Sequence, residues 1–287
     1  MNPTVTRFRA ATPHRARAIA VLATAVALAA LGGCAATRGG ASGSGNYAGS
    51  APGTQPTQAD KSARIRLELA EGYYQRGQPD VALGEVTQAL QEDPGYVPAY
   101  TMQALIHMSL GQNQQAEASF RQALSLAPDN PDTLHNYAWF LCSLKRYPES
   151  FQMFRKALAV PGYRNAQRTD LAYGVCQYRA GDLPGAEKTL RDGFALDPAS
   201  PALATNLAMV QYLQHEYSKA MFYIRRVNSG SGATAQTLWL GVLIARKSGD
   251  AVSANQWSQQ LVQRFPDSAE AIAAQQGHYD DSALLPH

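Results

Sequence analysis

The sequence predicts an all-α protein built as an array of similar helical hairpins. Three observations carry this. Pro94 and Pro128 stand 34 residues apart, and each follows an Ala-Leu pair, Ala89 and Leu90 in one case and Ala123 and Leu124 in the other. Alanines recur twelve residues before each proline, at Ala82 and Ala116, and glycines five residues earlier again, at Gly77 and Gly111. A 45% hydrophobic content over 287 residues is enough for a buried core and excludes wholesale disorder.

The amino terminus reads as an export and lipidation signal, residues 1–33. It carries Arg7, Arg9, Arg15 and Arg17 and no acidic residue. Without it the chain's 25 basic against 22 acidic residues become 21 against 22, so the net +3 gives no electrostatic case for nucleic-acid binding. The apolar run 18–31 has 14 residues, too short to span ~30 Å of hydrocarbon as a helix. Leu31, Gly32, Gly33 and Cys34 follow, and this ending resembles a bacterial lipobox. The resemblance implies cleavage before Cys34, a diacylglycerol on its sulfur and acylation of the new amino group. Several acyl chains at ~0.8 kcal/mol per buried CH₂ anchor a chain without a spanning helix. Ala35, where aspartate would signal retention, implies an outer-membrane lipoprotein facing the periplasm. The covalent lipid on Cys34 is the only cofactor expected.

Residues 34–62 hold that cysteine and a stretch rich in Gly, Ser, Ala, Thr and Pro. Such a composition does not offset its ordering entropy by burial, so a flexible linker is expected, with a reach of ~30 Å.

From residue 63 onward the 34-residue period resembles the tetratricopeptide repeat, whose paired antiparallel helices stack into a right-handed superhelix. With proline at position 32, six repeats cover 63–96, 97–130, 131–166, 167–200, 201–234 and 235–268, the third carrying two extra residues. Small residues at positions 8 and 20 let the helices of a hairpin approach closely. Position 8 reads Ala70, Ala104, Ala138, Gly174, Ala208 and Val242; position 20 reads Ala82, Ala116, Ser150, Ala186, Ala220 and Ala254. Position 24 fills the space between helices with Val86, Phe120, Phe154, Leu190 and Ile224, but is Ser258 in the last repeat. Residues 269–287 read as a short capping helix, to about Gln276, and a loose tail.

Catalytic motifs are missing. The sequence has no Gly-rich phosphate loop, no C-x-x-C pair and no His-Glu-x-x-His helix. Histidines 107, 135, 215, 278 and 287 are scattered one to a segment, which does not suit a metal site. The expectation is a non-enzyme with no metal and no small-molecule substrate. Cys142 and Cys176 lie on the first helices of neighbouring repeats. An exported protein favours a disulfide between them, with two buried thiols as the alternative.

The tetratricopeptide resemblance implies a binding groove lined by first-helix positions 2, 5, 9, 12 and 13. Candidates there are Tyr74, Met108, Tyr178 and Tyr212 at position 12, Trp139 at position 9, and His135 and Trp239 at position 5; Asn136, at position 6, joins them. Aromatic anchors dominate binding energetics, although each could instead pack between repeats. Leu67 and Glu71 stand where carboxylate-gripping arrays of this kind use lysine or asparagine, which disfavours capture of chaperone tails.

The stretch 136–142 (NYAWFLC), followed by Lys145, Arg146 and Tyr147, together with the lipobox, linker and repeats, resembles the PilW/PilF family of type IV pilus biogenesis lipoproteins. This resemblance implies a pilotin: an outer-membrane lipoprotein whose groove binds the secretin, or another pilus-assembly protein, and promotes its localisation and multimerisation. The alternative is another periplasmic repeat lipoprotein, serving tight-adherence pili, outer-membrane assembly or a cell-wall synthase.

Overall fold

The computed structural model describes residues 57–230, 232–279 and 284–285, all within one compact unit. Cys34, the signal and most of the expected linker lie outside the described residues. Twelve helices form six hairpins: α1 (Gln58–Gln75) with α2 (Pro79–Glu92), α3 (Val97–Ser109) with α4 (Asn113–Leu126), α5 (Pro131–Ser143) with α6 (Tyr147–Leu158), α7 (Ala166–Arg179) with α8 (Leu183–Leu196), α9 (Pro201–Leu213) with α10 (Tyr217–Asn228), and α11 (Ala235–Lys247) with α12 (Ala251–Arg264). A thirteenth helix, α13 (Ala269–Gln276), packs on α11 and α12. No strand occurs among the described residues.

Local sequence sets the helix ends. Asn130, Asp182, Ser200, Thr234, Asp250 and Ser268 each accept a backbone N–H of the following first turn through a side-chain oxygen. Prolines sit in the first turn of α2, α3, α5, α6, α8 and α9, where their missing N–H costs nothing. α1 starts at Gln58, inside the segment expected to be linker. A reciprocal capping box, Thr57 with Asp60, nucleates this extra turn.

Side-chain size at three repeat positions sets the packing. At position 8 Ala70, Ala104, Ala138 and Ala208 are fully buried, and at position 20 so are Ala82, Ala116, Ser150, Ala186 and Ala220. Val86, Phe120, Phe154, Leu190 and Ile224 at position 24 fill the intervening space and are likewise buried. Gly174 shows how tight the approach is. A Cβ added there would lie 2.5 Å from Leu190 Cγ.

Position 15 ends every first helix in the left-handed region. Gly77, Gly111, Gly181 and Gly249 have φ of 71° to 84°, and in the other two repeats the residue is Lys145 (60°) or His215 (62°). At Lys145 the N–H donates to the Cys142 carbonyl, and the following Arg146 N–H to that of Leu141, closing the helix end. Glycine adopts this conformation freely, whereas a residue with a Cβ gives up ~1 kcal/mol.

The first helices α1, α3, α5, α7, α9 and α11 each touch the next first helix in the array. They therefore share a face, and all eight candidate binding residues lie on these helices.

Candidate functional site

Two cavities flank α5 on this face. The smaller, about 140 Å³, lies at the start of α5, between it and helices α1 and α3. Leu67, Met102 and Leu105 give it an apolar floor, and Glu71, Thr101 and Asn136 supply polar groups. Thr101 and Thr133 share a hydrogen bond of 2.8 Å between their hydroxyls, tying α3 to α5 at its edge. Such a lining suits an extended segment, with apolar side chains against Leu67, Met102 and Leu105 and backbone amides on Asn136 and Glu71.

The larger cavity, about 450 Å³, opens where α5 and α7 end. Cys142, Ser143, Lys145 and Tyr147 line one side, Tyr178 and Arg179 the other. Cys142 and Cys176 Sγ are 2.06 Å apart, a disulfide that joins α5 to α7 beside this opening. Trp139 is half-buried next to it, with the Arg179 guanidinium carbon 5.0 Å from its ring centroid. Asn136 and Cys142 are six residues apart on one helix, so the two cavities are separated by a rise of ~9 Å along α5.

Of the predicted binding residues, Asn136, Trp139 and Tyr178 come together around α5. Tyr74 and Met108 are half-buried at the ends of α1 and α3, and each packs on the core of its own hairpin. Tyr212 sits further along, its ring 5.8 Å from that of Tyr217.

Two candidates are corrected. His135 is 5% exposed and faces α7, where Nδ1 lies 2.9 Å from Thr169 Oγ1; Tyr163 bonds the same hydroxyl at 3.0 Å. Burial, with Arg168 nearby, lowers its pKa to about 4, so the ring is neutral and acts as an inter-repeat tie. Trp239 is 0% exposed. Tyr279 stacks on it, so within the tail expected to be loose Tyr279 packs on the array, and Leu285 is buried in the same cluster.

Lys145, Tyr147 and Arg179 belong to the site but were not among the predicted contacts. A signal for Lys145 existed in the repeat register: position 15 is glycine in four repeats and lysine in the third.

Among the described residues no group of three or more His, Cys, Asp or Glu side chains could hold a metal ion. The fold needs no cofactor.

The tetratricopeptide repeat model matches residues 97–130 and, in a second form, 119–152. The type IV pilus assembly protein PilF of Pseudomonas aeruginosa is 27% identical over 211 residues, 74% of this chain and 84% of that protein. The crystal structure of PilW, a widely conserved type IV pilus biogenesis factor, superposes with a TM-score of 0.68 at 33% identity, covering 74% of this chain and 98% of that one. The structure of P. aeruginosa PilF gives a TM-score of 0.68 at 26% identity, over 77% of this chain and all of that one. With six helical hairpins and this similarity along nearly the whole length of the relatives, the chain belongs to the PilF/PilW family of type IV pilus biogenesis tetratricopeptide-repeat proteins.

Proposed function

We infer that this chain is a non-catalytic scaffold of type IV pilus biogenesis, held by a lipid on Cys34 to the periplasmic face of the outer membrane. The groove along its first helices captures an extended segment of the secretin. Anchoring then raises the local concentration of captured secretin at the bilayer and favours its multimerisation. The observation that carries this reading is the open, partly apolar groove flanking α5, with Trp139 and Asn136 beside it, in a chain of the PilF/PilW family.

The test is secretin assembly in cells carrying Trp139→Ala, Asn136→Ala or Cys34→Ala in place of the wild-type chain. Trp139→Ala and Asn136→Ala should lower the yield of secretin multimers and its co-purification with this chain, at unchanged chain abundance. Cys34→Ala should move the chain to the soluble fraction and misplace the secretin. Normal multimers in all three strains would defeat the reading. A cell-wall synthase as the main co-purified partner would replace it.

A further inference from the structure

We propose that the cavity between the ends of α5 and α7 is a carboxylate pocket, taking an acidic side chain or the chain-terminal carboxylate of the segment the groove captures. This rests on the reading that the groove binds a protein segment, and it adds the chemistry of one subsite.

Charge is the first argument. Lys145 and Arg179 are both exposed at the cavity rim, and none of the six lining residues is acidic. The carboxylates nearby are engaged elsewhere. Glu117 and Glu149 both pair with Arg146, and Asp182 caps α8 while accepting from Gln177. The ends of α5 and α7 contribute roughly half a negative charge each, against two full cations, so a net charge of about +1 faces the opening. Lys145 makes no ion pair or hydrogen bond through its ammonium among the described residues, and Arg179 is held only by its stacking on Trp139.

Donor geometry is the second. Tyr147 and Tyr178 line the same space, and their hydroxyls bond no other described group. An ammonium from the α5–α6 turn, a phenol from the start of α6, and a phenol and a guanidinium from the end of α7 border one cavity, a donor set that suits a carboxylate, which accepts through both oxygens. The disulfide fixes the distance between the two walls.

The backbone supplies an independent argument. Lys145 occupies a left-handed position that four of the other five repeats fill with glycine. Glycine would suit this conformation better, so Lys145 stands against local preference at the rim of a cavity. The smaller cavity, where Glu71 stands, lies at the other end of α5, so the groove carries opposite charges along its length and fixes the direction of an extended segment.

The experiment pans random twelve-residue peptides with free carboxyl termini on the full chain and on Lys145→Gly and Arg179→Gln variants. Enriched peptides are then measured by fluorescence anisotropy. Wild type should enrich peptides bearing an acidic residue or using their terminus. Replacing that residue with its amide should weaken binding about tenfold. Each variant should weaken the acidic peptide similarly and leave the amide form nearly unchanged. Lys145→Gly should melt at or above the wild-type temperature, which separates loss of the pocket from loss of the fold. Enrichment of the same peptides by all three proteins, whatever their acidity, would overturn the carboxylate pocket while leaving the groove. No enrichment on wild type would remove the groove reading and the pocket with it. Binding of phosphatidylglycerol vesicles that depends on Lys145 and Arg179, without acidic peptides, would reassign the cavity to a lipid phosphate.

Discussion

Tyr279 stacks on Trp239 with ring centroids 5.9 Å apart and planes inclined by 16°, and the Arg246 guanidinium carbon lies over the tyrosine ring, 3.7 Å from its centroid. Trp239 and Arg246 occupy positions 5 and 12 of the last repeat, both groove positions. Tyr279 thus covers these two groove positions of repeat six, whereas the two cavities lie on repeats one to four. Tyr279 also donates from its hydroxyl to the Ala274 carbonyl, which fixes the segment to α13. Aromatic stacking and a cation over the ring each contribute about 0.5–1.5 kcal/mol beyond burial. Tyr279→Ala is therefore expected to lower stability by ~1–3 kcal/mol, read as a lower urea midpoint, and to shift tryptophan emission to the red as Trp239 meets water. Unchanged emission would show that the stack does not form in solution.

Gly174 marks a tight helix crossing. A Cβ there meets Leu190 Cγ at 2.5 Å and Cδ2 at 2.8 Å, so Gly174→Ala should cost ~1–3 kcal/mol through overpacking. Combining it with Leu190→Ala makes room for the methyl, and the pair should lose less than the sum of the single losses. Additive losses in denaturant titrations would place the strain elsewhere.

These two contacts also show what could be read from the sequence. Gly174 and Leu190 fall at positions 8 and 24 of one repeat, and size complementarity within a hairpin repeats every 34 residues. That is why the hairpins and their core were legible. Tyr279 lies outside any repeat and meets Trp239 through a fold-level return of the chain, which no period announces. His135 was misplaced for a related reason: at position 5 it could have pointed to the groove, and only the partner hydroxyl on Thr169 turns it between repeats. Lys145 was legible in principle, because it breaks a column of glycines, but a column needs all six repeats compared at position 15.

The disulfide between Cys142 and Cys176 closes a loop of 34 residues across two hairpins. In the chain-entropy account such a cross-link is worth ~3–4 kcal/mol by restricting the unfolded chain. Cys142→Ser with Cys176→Ser should lower the urea midpoint accordingly, and a reducing agent should lower wild type to nearly the same value. A midpoint indifferent to reductant would mean that the bond is absent in the purified chain.

His135 and Asp170 make opposite contributions to acid stability. Burial, then Arg168, lowers His135 from 6.5 to about 4, with Asp132 opposing. The fold stays neutral there while the unfolded chain takes up a proton, so stability is lost as pH falls from 6.5 towards 4. Burial, then Asp192, raises Asp170 from 3.8 to about 6, with Lys188 opposing. Here the fold binds the proton more tightly, so a penalty present above pH 6 is relieved as pH falls towards 3.8. Each amounts to ~3 kcal/mol at 1.36 kcal/mol per pH unit of displacement, and the two nearly cancel in between. The Asp170 carboxylate finds no hydrogen-bond partner among the described residues and is 6% exposed, which makes it the better group to remove. Asp170→Asn should raise stability at pH 7 by ~2–3 kcal/mol and uncover the loss from His135 on acidification, steeper between pH 6.5 and 4 than in wild type. Urea titrations at pH 7, 5.5 and 4.5 read both effects, and parallel pH profiles for the two proteins would refute the assignment.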